Sequence, residues 1–135
     1  MRTPYSGTRA AMRLAVQLPA VPQAAGDARR LIREHFADRL PAVVLYDLLT
    51  VVSELITNAV VHGKGDAVGL AIEIGPDETL RGVVENDGRA RIELRPIDLS
   101  GRSGIGLHIV DTIVDSWQVT TGPVTRVSFQ LRAST

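Results

Sequence analysis

No cysteine occurs anywhere in this 135-residue chain. That absence removes disulfides, thiol catalysis and cysteine-ligated metal sites. Net charge is missing as well: Lys+Arg and Asp+Glu stand at 15 each, so no global field draws the chain to nucleic acid or anionic lipid. Lysine is nearly absent, Lys64 being the exception among the basic residues; a GC-rich genome explains the Arg bias better than a need for bidentate contacts. Long apolar runs are also lacking. Arg13, Gln17, Pro19 and Pro22 interrupt the N-terminal stretch short of a secretory h-region, and no run approaches the roughly 20 residues that span a bilayer. The expectation is a soluble, cytoplasmic protein with no direct nucleic-acid or membrane partner.

What is present suffices for one core and not for two. Residues 1–10 lack periodicity and read as a flexible leader; residues 11–132 read as one domain. "AMRLAVQLP" alternates Met12, Leu14, Val16 and Leu18 with polar positions, the mark of a half-buried strand. Between Pro22 and Leu40, Ala28, Leu31, Ile32, His35 and Phe36 recur at helical spacing. Pro41 suits the first turn of a second helix, which Gly63 and Gly65 stop. "AVGLAIEIG" and "TLRGVVEND" read as a hairpin joined by Pro-Asp-Glu, "SGIGLHIVDTIVDSW" as a helix begun at Ser103, and "WQVTT" with "TRVSFQL" as a last hairpin. The order β, α, α, β, β, α, β, β predicts an α/β (α+β) two-layer sandwich, with a mixed, mainly antiparallel sheet and helices on one face.

The second helix poses a question. At about 100° per residue, Leu48, Leu49, Val52, Leu55, Ile56, Ala59 and Val60 fall on one half of its wheel. Thr50, Ser53, Glu54, Thr57, Asn58 and His62 fall on the other, with Val51 and Val61 intruding. A solvated face would carry more charge, so something covers this one. Glu54, Asn58 and His62, spaced i, i+4, i+8, line up about a turn apart. Taken alone they make either an ordinary polar face with a helix-terminal His, or a carboxylate and carboxamide that hold a hard cation or a water the carboxylate deprotonates.

Two glycine segments follow. "VVENDGRA" ends a strand in Asn86, Asp87 and Gly88, which by themselves make a turn. "GRSGIGL", residues 101–107, opens a helix whose glycines let backbone N–H groups approach an anion, with Arg102 as a mobile cation. By itself it is equally a flexible helix start, and it fits neither a dinucleotide fingerprint nor a P-loop.

In combination these motifs resemble the ATPase domain of the gyrase, heat-shock chaperone, histidine-kinase and MutL superfamily. "SELITNAVVHG" and "GRSGIGLHIVDTIVDSWQV" are most similar to the N-box and second glycine box of the stand-alone anti-sigma factors with serine-kinase activity, a likeness covering about residues 12–131. It implies Glu54 as general base, Asn58 as the ligand of Mg²⁺ on ATP, and His62 and Gly63 closing the helix beside the nucleotide. It also implies that Gly104, Ile105, Gly106 and Leu107 meet phosphate oxygens, with Arg102 and Ser103 in the lid. Thr125 then lies on the adenine side, after Val124. In the first glycine box the family's Asp-x-Gly-x-Gly is here Asn86, Asp87, Gly88, Arg89, Ala90. Asn86 stands where the family's Asp accepts the adenine amino group, and an amide gives up charge-assisted strength on the order of 1 kcal/mol. Asp87 is a doubtful substitute, because neighbouring strand residues point to opposite faces.

The implied function is an ATP-dependent, homodimeric regulator that binds a sigma factor and phosphorylates a serine on an anti-anti-sigma antagonist. The competing reading is a non-catalytic or weakly nucleotide-binding interaction module of the same fold. A detached ATPase module of a two-component histidine kinase fits less well, since the chain carries no phosphoacceptor helix.

Overall fold

The computed structural model describes residues 12–63, 65–87 and 105–134, so the expected leader lies outside the described residues. The elements are β1 (Met12–Pro19), α1 (Ala24–Phe36), α2 (Ala42–His62), β2 (Ala67–Ile74), β3 (Thr79–Asp87), α3 (Ile105–Ile113), β4 (Ser116–Thr120) and β5 (Val124–Arg132). Their order is the one the periodicities predict, in a two-layer α/β arrangement.

The sheet runs β1-β2-β3-β5-β4, and every pairing is antiparallel. The parallel component of the expected mixed sheet is therefore not found among the described strands. β5 sits between β3 and β4, so the chain leaving α3 enters at the sheet edge as β4 and reaches β3 only on its return as β5.

Period-two alternation sorts the strands into two faces. One face buries Leu14, Leu18, Val68, Leu70, Ile72, Ile74, Leu80, Val84, Val127, Phe129 and Leu131. The register stacks them in rows: Leu14, Ile72, Gly82 and Phe129 in one, Val16, Leu70, Val84 and Val127 in the next, and Leu18, Val68, Asn86 and Thr125 in a third. Each large side chain in such rows contributes roughly 1.5–3 kcal/mol. Gly82 makes room for its neighbour, since a Cβ there would stand 2.9 Å from Phe129 Cε1 and closer still to other ring atoms. On the other face Arg126 donates from Nε to Glu85 Oε2 at 2.9 Å across the β3–β5 pair.

Helix α1 presents Ala24, Ala28, Ile32 and Phe36, a stripe at intervals of four, to this core, whereas His35 is exposed. Helix α2 is 21 residues long, with a mean hydropathy of 1.6 in its most apolar window. That corrects the expectation that no segment approaches the length of a membrane span. Its Leu48, Val51, Val52, Leu55 and Ile56 are buried, and it packs against α1, α3 and strands β2, β3 and β5. Of the two apolar residues intruding on its polar half, Val51 is inside and Val61 is 66% exposed.

Helix α3 ends at Ile113, short of the expected Trp117. The Asp115 N–H donates to the Gln130 carbonyl, drawing the chain into the sheet, and Trp117 enters β4 opposite Phe129. Leu107, Val110 and Val114 are the buried positions of this segment; Ile109 is exposed, and Ile113 is partly buried.

Candidate functional site

The C-terminal end of α2 lies on the C-terminal end of β3. Gly63 caps the helix by donating its N–H to the Ala59 carbonyl at 2.9 Å. Its φ of −78° and ψ of 168° are open to any residue, so backbone conformation does not demand glycine here. Space does. A Cβ at this position would lie 3.0 Å from Asn86 Cγ, and nearer still to Asn86 Nδ2 and the Ala59 carbonyl oxygen. The helix end and the Asn86 carboxamide are thus packed directly together.

Asn86 is 4% exposed and Thr125 is fully buried; among the described residues they are the two buried polar side chains. Register places them opposite each other on β3 and β5. Each keeps a polar or electrostatic interaction in the fold, as burial of such groups requires. The row continues to Val68 and Leu18, so none of its four side chains is ionisable.

One helical turn before the cap, Asn58 is half-buried, and Glu54 is half-buried one turn earlier again. His62 is exposed. Two of the three hydroxyls that the wheel groups with them, those of Ser53 and Thr50, are otherwise engaged. Ser53 donates to the Leu49 carbonyl at 2.7 Å and accepts from Arg29 Nη1 of α1 at 3.0 Å, while Thr50 donates to the Tyr46 carbonyl at 3.0 Å. Such back-bonding satisfies a hydroxyl on its own helix. Ser53 therefore belongs to the α1 contact, and Asn58, five residues on, is about 140° around the helix from it. That leaves Glu54 and Asn58 as the polar pair on the flank turned away from Ser53.

Ile105, Gly106 and Leu107 form the first turn of α3, the end of a helix where N–H groups and dipole favour an anion. The side chain of Leu107 is buried in the core, leaving its backbone for such a role. Asp87 pairs through its backbone position with Val124. Gly88, Arg102, Ser103 and Gly104 lie outside the described residues. A groove on the opposite sheet face, lined by Ala15, Gln17, Gly69, Ala71, Val83 and Glu85 among others, contains none of the site residues.

With this geometry in place, the family follows. Residues 18–131 match the model of the histidine kinase-like ATPase domain, and the chain belongs to that family, one of ATP-binding domains. The RsbU and RsbW domains of Rv1364c from Mycobacterium tuberculosis share the fold with a TM-score of 0.72 at 23% identity, over 89% of this chain and 32% of that one. The histidine kinase domain of the Erythrobacter litoralis EL346 blue-light activated histidine kinase gives 0.58 at 24% identity, over 85% of this chain and 61% of the other. At these identities the likeness establishes the fold, and the chain spans less than two thirds of either protein. No curated protein matches the chain at a significant level.

The residues present suit a nucleotide. A buried amide and hydroxyl, and a half-buried carboxylate and carboxamide on the helix that packs on them, are hydrogen-bonding groups of the kinds that a base and a magnesium-bound phosphate chain engage.

Proposed function

We propose that this chain is an ATP-binding regulator of the anti-sigma type, which binds a sigma factor and phosphorylates a serine of an anti-anti-sigma antagonist. The observation that carries the reading is the continuity of the site: Glu54 and Asn58 on α2 lead through the Gly63 cap directly onto buried Asn86 and Thr125. ATP is the phosphoryl donor. Bound Mg²⁺ would neutralise charge on the transferring group. Asn58 would offer its carboxamide oxygen to that ion, a hard-cation ligand.

The chain's own part in the transfer falls to Glu54. Its carboxylate takes the proton of the antagonist's serine as the serine oxygen bonds to the γ-phosphorus and the bond from that phosphorus to the ADP oxygen breaks. Gly106 and Leu107 at the start of α3 offer N–H groups to phosphate oxygens, and Arg102 and Ser103 belong to the lid. A cytoplasmic homodimer completes the reading. Incubation with Mg-ATP and candidate antagonists should transfer label to a serine; ATP binding with no transfer to any antagonist removes the kinase reading.

A second reading, an interaction module without catalysis, draws on Asn86, where a neutral amide replaces the charged acceptor that the family resemblance places there. Tight Mg-ATP binding in calorimetry, abolished by Asn58→Ala, eliminates the weakly nucleotide-binding form of this reading, and phosphotransfer then decides between a kinase and a non-catalytic module.

A further inference from the structure

We propose that the groove between α1 and α2 docks an acidic helical segment of a partner protein, held by Arg29 and Arg33. Its residues are distinct from Glu54, Asn58, Asn86 and Thr125, so its occupancy does not depend on the nucleotide reading.

The charges of α1 sort unevenly. Both of its acids lie against Arg30, which stands 3.8 Å from Asp27 and 3.6 Å from Glu34. Arg29 and Arg33 are left without a carboxylate partner among the described residues. Arg29 is half-buried, and its Nη1 donates to the Ser53 hydroxyl of α2 at 3.0 Å. A hydroxyl satisfies one of the five donors of a guanidinium and does not balance its charge. Arg33, exposed, follows one turn along the helix, at about 6 Å. Two guanidiniums at this spacing match carboxylates four residues apart on a facing helix.

The α2 wall distinguishes a peptide from a small anion. Tyr46, Thr50, Ser53 and Thr57, spaced i, i+4, i+7 and i+11, share the flank that meets Arg29. This flank carries no charge, and Thr50 and Ser53 direct their hydroxyl hydrogens into their own helix. Tyr46 is 69% exposed and Val43, on the preceding turn, 57%. The short link of residues 37–41 turns α2 back beside α1, so with Arg29 opposite Ser53, Arg33 lies toward the Tyr46 turn. A free phosphate would engage the guanidiniums and leave the ring bare. A helix with acids against Arg29 and Arg33 and an apolar residue against Tyr46 uses both, and arginine and tyrosine are the types on which interface energy concentrates.

The test is fluorescence anisotropy of the full chain with a synthetic amphipathic helical peptide bearing Glu, Glu and Leu at i, i+4 and i+7, and with the same peptide carrying Gln in place of Glu. The acidic peptide is expected to bind, and to bind about tenfold or more tightly than the Gln peptide. Arg33→Gln, at an exposed side chain without a described partner, should weaken it about threefold, and Tyr46→Ala about tenfold. Arg29→Gln together with Arg33→Gln should weaken it about tenfold; if that variant does not fold, Arg33→Gln and the peptide pair decide. Equal binding of the two peptides, or binding of neither, overturns the proposal. So does inorganic phosphate or a phosphatidylserine vesicle that binds more tightly than the peptide, which makes the groove a small-anion or lipid site. A sedimenting dimer that Tyr46→Ala dissociates makes the occupant a second copy and overturns it too.

Discussion

Gly63 is packed against the carboxamide of Asn86, with room for a hydrogen and none for a methyl. This contact joins the end of the helix that carries Glu54 and Asn58 to the end of the strand that carries Asn86. Because the Gly63 backbone is extended, the requirement for glycine is purely one of approach.

Replacing Gly63 by Ala should therefore be costly although the conformation allows it. The new Cβ meets the Ala59 carbonyl oxygen, a backbone atom with little freedom to retreat, as well as Asn86. A loss of about 1–3 kcal/mol is expected in urea denaturation, with weakened Mg-ATP binding at temperatures where the variant is folded. Unchanged stability and affinity would show that the helix end does not sit on Asn86.

Glu54 and Asn58 should separate by assay. Asn58→Ala removes the proposed Mg²⁺ ligand, so its deficit is expected in the calorimetric affinity for Mg-ATP. Glu54→Gln keeps the side chain's shape and loses the proposed proton acceptor, so phosphotransfer to the antagonist should fall by about 10²–10⁴-fold with ATP affinity little altered. Equal loss of binding in both variants would count against Glu54 as the base.

Gly82 tests the core beneath the site. Ala at this position drives a methyl into the Phe129 ring, and about 1–3 kcal/mol of destabilisation is expected. Combining it with Phe129→Leu should recover part of that loss, because the two sites share one space. Strict additivity in the double-mutant cycle would refute the steric account.

Asp77, in the turn between β2 and β3, gives the fold a pH dependence. The Thr79 N–H donates to its Oδ1 at 3.1 Å and Arg81 Nη2 lies 3.4 Å from Oδ2. Hydrogen bonding from Thr79, foremost, holds the carboxyl below its usual value of 3.8. A group whose folded pKa is depressed stabilises the fold above the unfolded value and loses that effect as pH falls through the folded value. Asp77→Asn should thus melt below the wild type at neutral pH, and the two should converge as pH falls well below 3.8. A gap that stays constant down to that acidity would assign the difference to turn geometry.

Glu54, Asn58 and His62 were legible as a line because helical spacing is a local property: four-residue intervals place side chains in line whatever the rest of the chain does, although the fold leaves His62 exposed. The same local logic shows the element order and the inner face of each strand. It overcounts, though. Thr50 and Ser53 sit on the same polar half of α2, yet their hydroxyls are occupied by their own helix and by Arg29 of α1, which no periodicity reveals.

What the sequence by itself determined is the set of parts: alternation makes five strands, 3.6-residue spacing makes three helices, and the second helix carries a carboxylate and a carboxamide in line. Only the tertiary structure decided how they meet. The pairing of Asn86 with Thr125 depends on β5 entering beside β3 rather than β4, and the seat of Gly63 on Asn86 depends on where α2 crosses the sheet. Both are contacts between segments remote in sequence, set by which apolar faces cover one another, and hydrophobic burial is non-directional until the whole core is packed.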